Sequence, residues 1–301
     1  MDTNPYSMPS APSPPSSKQP RVLLVESNPE TNQLLTNILA ARGCTVDFAA
    51  DNKEALQLAQ TQPFDLIVTG VNTTGQQDVE LLRRLRLVRP HTRLIILTDE
   101  FIPGDVLAAI QERAFSYFAR PFSTERLAEM IDAAMTEPYW DDGIEILSAT
   151  PDWVRLSVRC DVLTANRLTQ FFRESSDLPD PEKEEVATAF REILLNAIEH
   201  GGKMNPSKFV EVAYVHTSRT VMCKVKDPGE GFSLEELKHA ALNNPPDDPF
   251  CHMSVRESLG LRPGGFGILM AKNLVDEVLF NEQGNEVLLV KHLDKPAAPD
   301  T

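Results

Sequence analysis

Glu192 and Asn196 stand four residues apart in the run Arg191-Glu-Ile-Leu-Leu-Asn-Ala-Ile-Glu-His-Gly201. On a helix that spacing places both on one face, a turn apart, so a carboxylate and a carboxamide can share one site. Two glycine-rich segments follow, Asp227-Pro-Gly-Glu-Gly-Phe232 and Pro263-Gly-Gly-Phe-Gly-Ile268. Glycine lets backbone approach a bound nucleotide closely. Each piece alone is weak. A Glu/Asn pair on an exposed helix is ordinarily just solvated, DxGxG is often only a turn, and a glycine run before a helix is common. In this order they point to ATP plus a divalent ion, with Glu192 placed to act on a nearby proton.

The elements that must position these residues follow from periodicity. Asp180-Pro181 opens a helix that runs to His200, with Val186, Phe190, Ile193 and Ala197 as its buried stripe and Gly201-Gly202 as its stop. Before it, Val154–Arg159 alternates as a half-buried strand, and Asp161 caps a helix reaching about Glu174. After it come strands at Phe209–Thr217 and Thr220–Lys226, a helix at Gly267–Val275, and a strand pair, Glu277–Asn281 and Glu286–Leu293, turning at Gln283-Gly284. The pattern predicts a mixed sheet covered by helices on one face.

The earlier part of the chain reads differently. Apolar runs at Arg21–Val25, Cys44–Ala49, Asp65–Gly70, Arg93–Thr98 and Phe115–Arg120 alternate with helices. The first helix opens at Asn28-Pro29 and closes at Gly43; the others are Asn52–Gln60, Val79–Arg89, Pro103–Arg113 and Ser123–Met135. Five such alternations predict a five-stranded, doubly wound parallel sheet in an α/β fold. The expected division is a disordered tail over 1–20, a first domain over 21–136, a linker over 137–143, a second domain over 144–295 and a tail over 296–301.

The chain has 301 residues and a formal net charge of −15, with 42% hydrophobic residues. The length favours two domains. The acidity, with no run of basic residues, argues against a nucleic-acid surface. Cys44, Cys160, Cys223 and Cys251 lack metal-ligand or CxxC spacing. No apolar run reaches the ~18 residues of a membrane helix, and residues 1–20 lack the apolar centre of a signal peptide. The expectation is a cytoplasmic protein that uses neither membrane nor nucleic acid.

Residues 144–295 resemble the Bergerat-fold ATPases, the histidine kinase-like superfamily, and within it the anti-sigma-factor serine kinases. The carriers are Glu192 to Gly201, Asp227 to Phe232, and Gly264-Gly-Phe-Gly-Ile-Leu-Met-Ala-Lys-Asn-Leu-Val-Asp276. The resemblance implies that Asn196 holds Mg2+ bridging the ATP phosphates and that Glu192 is the general base. It implies that Asp227 accepts from the adenine amino group and that Gly229 and Gly231 admit the base. Gly265 and Gly267 would offer backbone N–H groups to phosphates at a helix start. A lone carboxamide is a weak magnesium ligand; phosphates and waters must supply the remaining oxygens. Residues Ser233–Pro263 would form a lid, with Arg262 in reach of a phosphate.

Residues 21–136 resemble a response-regulator receiver domain. Val25-Glu26-Ser27, Thr98, Tyr117 and Arg120-Pro121-Phe122 carry the likeness. The family's phosphoryl-accepting aspartate falls on Gly70, which has nothing to phosphorylate. The acidic pair becomes Glu26 and Ser27, and the lysine becomes Arg120. Asp65 cannot substitute, being five residues, or ~16 Å, from that end of the strand. The resemblance therefore implies a phosphorylation-incompetent receiver that binds a partner or pairs with itself, a possible homodimer contact. The functional alternative is that Thr98 and Tyr117 still switch with some other input; otherwise they are plain strand residues.

The histidines are His91, His200, His216, His239, His252 and His292. None lies in 137–180, where a histidine kinase would carry its acceptor helix. The leading expectation is a signalling regulator whose ATP/Mg-dependent serine/threonine kinase acts on a small antagonist protein, with a sigma factor or similar regulator as a further partner. The alternative is an ATP-gated binding module that moves no phosphate. A sensor histidine kinase fragment ranks third.

Overall fold

Strands that read as unbroken apolar runs must be buried on both faces, and this one feature dictates the first half of the molecule. The computed structural model describes residues 19–70, 73–136, 141–150, 152–175, 178–231, 254 and 266–293. The tails, most of the linker and of the lid segment, Cys251, Arg262 and Gly265 lie outside the described residues.

Strands β1 (Arg21–Val25), β2 (Thr45–Ala49), β3 (Leu66–Thr69), β4 (Arg93–Thr98) and β5 (Ser116–Ala119) form a parallel sheet in the order β2-β1-β3-β4-β5. Helices α1 (Pro29–Ala40), α2 (Asn52–Thr61), α3 (Gly75–Val88), α4 (Pro103–Gln111) and α5 (Thr124–Thr136) alternate with them. Side chains sort by period two. Val22, Leu24, Val68 and Leu97 pack towards α1 and α5, while Leu23, Val25, Ile67 and Ile96 pack towards α2, α3 and α4. Asn28 caps α1, its Oδ1 accepting from the N–H groups of Glu30 (3.0 Å) and Thr31 (3.1 Å), with Pro29 in the first turn. Helix α3 begins four residues before the expected Val79, because Thr74 and Gln77 form a reciprocal capping box.

The second half contributes β6 (Ile144–Thr150), β7 (Trp153–Arg159), α6 (Val162–Arg173), α7 (Asp180–Asn196), β8 (Phe209–His216), β9 (Thr220–Lys226), α8 (Gly267–Leu274), β10 (Glu277–Phe280) and β11 (Glu286–His292). The sheet order is β10-β11-β9-β8-β7-β6. Every pairing in it is antiparallel among the described residues, which corrects the expectation of a mixed sheet. The reason lies in the connections. Tight turns join β8 to β9 and β10 to β11, and the two successive helices α6 and α7 return the chain beside β7 in the opposite sense. Strand β6 is an element the periodicity did not predict. Helices α6, α7 and α8 cover one face, where Phe172 stacks on both Phe190 and Tyr214 with centroids 4.7 Å apart.

The two halves meet along α6. Arg167, only 1% exposed, donates from Nε to the Phe115 carbonyl (2.8 Å) and from Nη2 to the Ala114 carbonyl (3.0 Å) and Asp142 Oδ1 (2.7 Å). Asp142, at the end of the expected linker, is itself buried.

Candidate active site

Helix α7 starts on Asp180 with Pro181 in its first turn and buries Val186, Phe190 and Ile193 as the stripe predicts. That packing turns Glu192 and Asn196 away from the core, and both are half-buried. Helix α8 packs along α7 so tightly that a Cβ added at Gly267 would lie 2.9 Å from Glu192 Oε2 and 3.2 Å from Asn196 Nδ2. The first residue of α8 thus sits against both polar side chains of α7. Its first-turn N–H groups, which have no partner within the helix, begin at the point where a carboxylate and a carboxamide converge. The first and third motifs are brought together as expected for Gly267; Gly265 lies outside the described residues.

The second motif meets α7 one step further along. After Asn196 the helix widens into a π turn, Ala197–Gly201. Gly201 then abuts Asp227: a Cβ at Gly201 would fall 2.0 Å from Asp227 Oδ1. Asp227 Oδ1 accepts from the Gly229 N–H at 2.7 Å, and partial burial pushes its carboxyl above the ordinary carboxylate range, against the pull of that N–H and of Lys203. A carboxylate has lone pairs for further donors, so one such bond does not exhaust it. Gly229 also packs on Gly201, with a Cβ there only 2.9 Å from the Gly201 Cα. Gly231 has φ +84°, and a side chain would strike the Gln283 carbonyl.

Several residues that hold this loop carry no motif. The Asp227 N–H donates to the Asn285 carbonyl (2.9 Å), Asn285 Nδ2 to the Gly229 carbonyl (3.4 Å), and Gln283 Nε2 to the Glu230 carbonyl (3.2 Å). The β10–β11 turn therefore grips the Asp227–Gly231 loop. On the other side, Arg191 Nη1 lies 3.6 Å from Glu192 Oε1, while its Nε donates to Asn166 Oδ1 of α6 at 3.1 Å. Only the polar, Gly-containing turn Asn281–Asn285 gave any hint of these contacts in the sequence.

A magnesium ion with a triphosphate fits this donor set only in one way. Among the described residues no cluster of three His, Cys, Asp or Glu side chains could hold a metal. The Asn196 carboxamide, beside the α8 start, suits an ion whose other oxygens come from phosphate and water.

At the other expected site, Glu26, Gly70, Thr98 and Arg120 gather at the C-terminal ends of β1, β3, β4 and β5. Glu26 is 4% exposed and fills the space over Gly70, where a Cβ would lie 2.5 Å from Glu26 Oε2. The other Glu26 oxygen accepts from the Asn28 N–H at 2.6 Å. Thr98 is buried and accepts from the Glu100 N–H through Oγ1. Arg120 is held by Asp99 (3.2 Å) and by the Thr31 hydroxyl. Asp65 sits at the opposite end of β3, where Oδ2 accepts from the Arg21 N–H.

Comparison with known proteins finds a family match for each half of the chain. Residues 22–132 match the response regulator receiver domain, and residues 157–291 match the histidine kinase-like ATPase domain. The chain thus carries a receiver domain followed by an ATPase domain of that kind. It is 32% identical over 107 residues to the transcriptional regulatory protein TcrA of Mycobacterium tuberculosis, covering 36% of this chain and 42% of that protein. It is 31% identical over 121 residues to the sensor histidine kinase GacS of Pseudomonas protegens, covering 38% of this chain and 13% of that protein. The chain spans less than half the length of these curated relatives. A signal receiver domain from an HD domain-containing protein of Pseudomonas fluorescens aligns at 28% identity and TM-score 0.36, over 39% of this chain and 95% of that one. No helix among the described residues is long and apolar enough to cross a membrane.

Proposed function

We propose that this chain is a signalling regulator that transfers a phosphoryl group from ATP to a serine or threonine hydroxyl of a small antagonist-type protein, in the manner of anti-sigma-factor kinases. A sigma factor or similar regulator would be the partner whose availability this controls. The observation that carries the proposal is the convergence of Gly267 on Glu192 and Asn196, with Asp227 docked on Gly201 of the same helix. ATP with Mg2+, when bound, supplies the transferable group and the charge neutralisation. Asn196 would hold the metal, the α8 N–H groups would face the phosphates, and Asp227 would accept from the adenine amino group. Gly229 and Gly231, lacking side chains, let this loop close on Gly201 and on the Gln283 carbonyl, and so would set its backbone and Asp227 for the base. Glu192 is the carboxylate positioned to take the proton from an incoming hydroxyl.

The receiver in this proposal is phosphorylation-incompetent and serves as a protein-binding module. Glu26 fills the place in which an acceptor side chain would stand.

One contact favours a second reading, an ATP-gated binding module. Arg191 Nη1 lies 3.6 Å from Glu192 Oε1, so a guanidinium already stands at the carboxylate that an incoming hydroxyl would have to meet. The variant Glu192→Gln separates the two. Transfer of labelled γ-phosphate to the protein that co-purifies from native cells falls by ~100-fold or more under the first reading, with ATP affinity kept. Capture of that protein with ATP, but no acid-stable phosphoester even in the wild type, refutes the kinase.

A further inference from the structure

An open strand edge is an exposed row of backbone donors and acceptors that a fold must cover or protect. In the receiver, β5 is such an edge, and α6 covers it with polar side chains. Arg167, Gln170 and Glu174 lie on one face of this helix and its last turn, and all are at most 7% exposed. Arg167 serves the Ala114 and Phe115 carbonyls, Gln170 Nε2 donates to the Tyr117 carbonyl at 3.0 Å, and Glu174 Oε2 accepts from the Ala119 N–H at 3.2 Å. A buried donor or acceptor left without a partner is costly, so a half-engaged edge is disfavoured. The edge is either docked or solvated.

The same helix reaches the catalytic one. Asn166 holds Arg191, the neighbour of Glu192, and Arg173 pairs with Glu184 on α7 at 3.1 Å. Glu184 is shared with the receiver, since Arg126 of α5 pairs with it at 2.7 Å. Lys183 of α7 stands 5.4 Å over the Phe101 ring, in the loop before α4. The receiver therefore touches both ends of the arrangement: α6 along its length, and α7 near its start.

We propose that α6 transmits between the receiver and the ATPase site: docking of β5 on α6 and occupancy of the Glu192–Asn196 site by nucleotide favour one another, an inference that rests on the nucleotide reading above. A docked α6 fixes Asn166 and so keeps the Arg191 guanidinium beside the place where a triphosphate would lie. An undocked α6 frees that positive charge to leave. Coupling between binding events is reciprocal, so nucleotide must tighten the joint by the same factor by which the joint tightens nucleotide.

The test uses the full chain. Amide hydrogen exchange at Ala119 reports the joint, and calorimetric titration with Mg-ATP reports the site. Arg126→Glu turns the Glu184 attraction into repulsion; Gln170→Glu, run in parallel, sets a second carboxylate beside Glu174. In the wild type, saturating Mg-ATP should slow Ala119 exchange by about fivefold or more, a typical lower bound for coupled sites. A variant that speeds the exchange should bind Mg-ATP correspondingly more weakly. The coupling is overturned if a variant that frees the Ala119 amide keeps wild-type affinity within twofold. It is also overturned if neither variant frees it, because such a joint does not open. Failure of the wild type to bind any adenine nucleotide removes the site reading itself, and the coupling with it.

Discussion

Gly201→Ala puts the proposed adenine end of the site to a quantitative test. The new Cβ would appear 2.0 Å from Asp227 Oδ1 and 2.2 Å from its Cγ. The carboxyl must retreat by roughly 1 Å or more to reach van der Waals distance. It cannot simply rotate, because Oδ1 is tied to the Gly229 N–H and the Asp227 N–H to the Asn285 carbonyl. Losing the charged bond to Gly229 costs ~1.5–3 kcal/mol of ordering in the loop that would meet the base. If Asp227 binds adenine, the ATP affinity drops by about 10- to 100-fold, since ~1.4 kcal/mol is tenfold. The matched control is Gly104→Ala in the first turn of α4, where nothing lies within 4 Å of the added methyl. That change should leave affinity alone and stabilise by ~0.5 kcal/mol. Mg-ATP titration calorimetry and urea denaturation of the three proteins decide it. Gly201→Ala with both its affinity within threefold of wild type and an unchanged urea midpoint would refute the placement of Asp227.

Other outcomes follow from the same contacts. Burial raises the Glu174 carboxyl to about 7 and the Asp78 carboxyl to about 6, despite the Ala119 N–H on the first and Thr69 on the second. An acid whose folded-state pKa is raised contributes stability at low pH that is lost as pH climbs through that value, so unfolding free energies from urea titrations should fall between pH 4 and 8, by on the order of 3 kcal/mol per group, and less steeply in Asp78→Asn; a free energy that rises over that window contradicts the assignment. Arg167→Ala strands the Asp142 carboxylate and the carbonyls of Ala114, Phe115 and Asp142, and should cost ~3–5 kcal/mol in equilibrium denaturation, with Arg167→Lys recovering only part; a loss under ~1 kcal/mol would show that the pair does not hold the joint. Gly70→Asp should gain no acyl phosphate from acetyl phosphate while Glu26 fills the space, and stable label on that single variant would overturn the reading of the receiver as inert.

What the sequence made legible was whatever is written in one stretch of chain. Strands β1, β3 and β4 stand out because both faces are apolar, and the Glu192, Asp227 and Gly267 motifs because their residue types are the chemistry. Strand β6 escaped because its alternation is half-exposed and breaks at a bulge between Ile146 and Ser148. The start of α3 escaped because Gly75-Gln-Gln-Asp78 has no apolar period, and only its cap marks it. The grip of Gln283 and Asn285 on the Asp227 loop, and the filling of the Gly70 space by Glu26, join residues more than forty positions apart and leave no pattern. Arg167, Gln170 and Glu174 belong to no motif and no apolar period. They are polar because what they meet is backbone.

The π turn at Ala197–Gly201 carries its own consequence. It lodges an extra residue in a helix, and by doing so sets the angular phase between Asn196 and the glycine on which Asp227 rests. Removing one residue there, say Ile198, would leave a perfectly good helix and rotate Gly201 by ~100° away from its partner. The spacing of that stretch is therefore a dial, fixed to the residue, in a part of the chain where composition alone would seem free to drift.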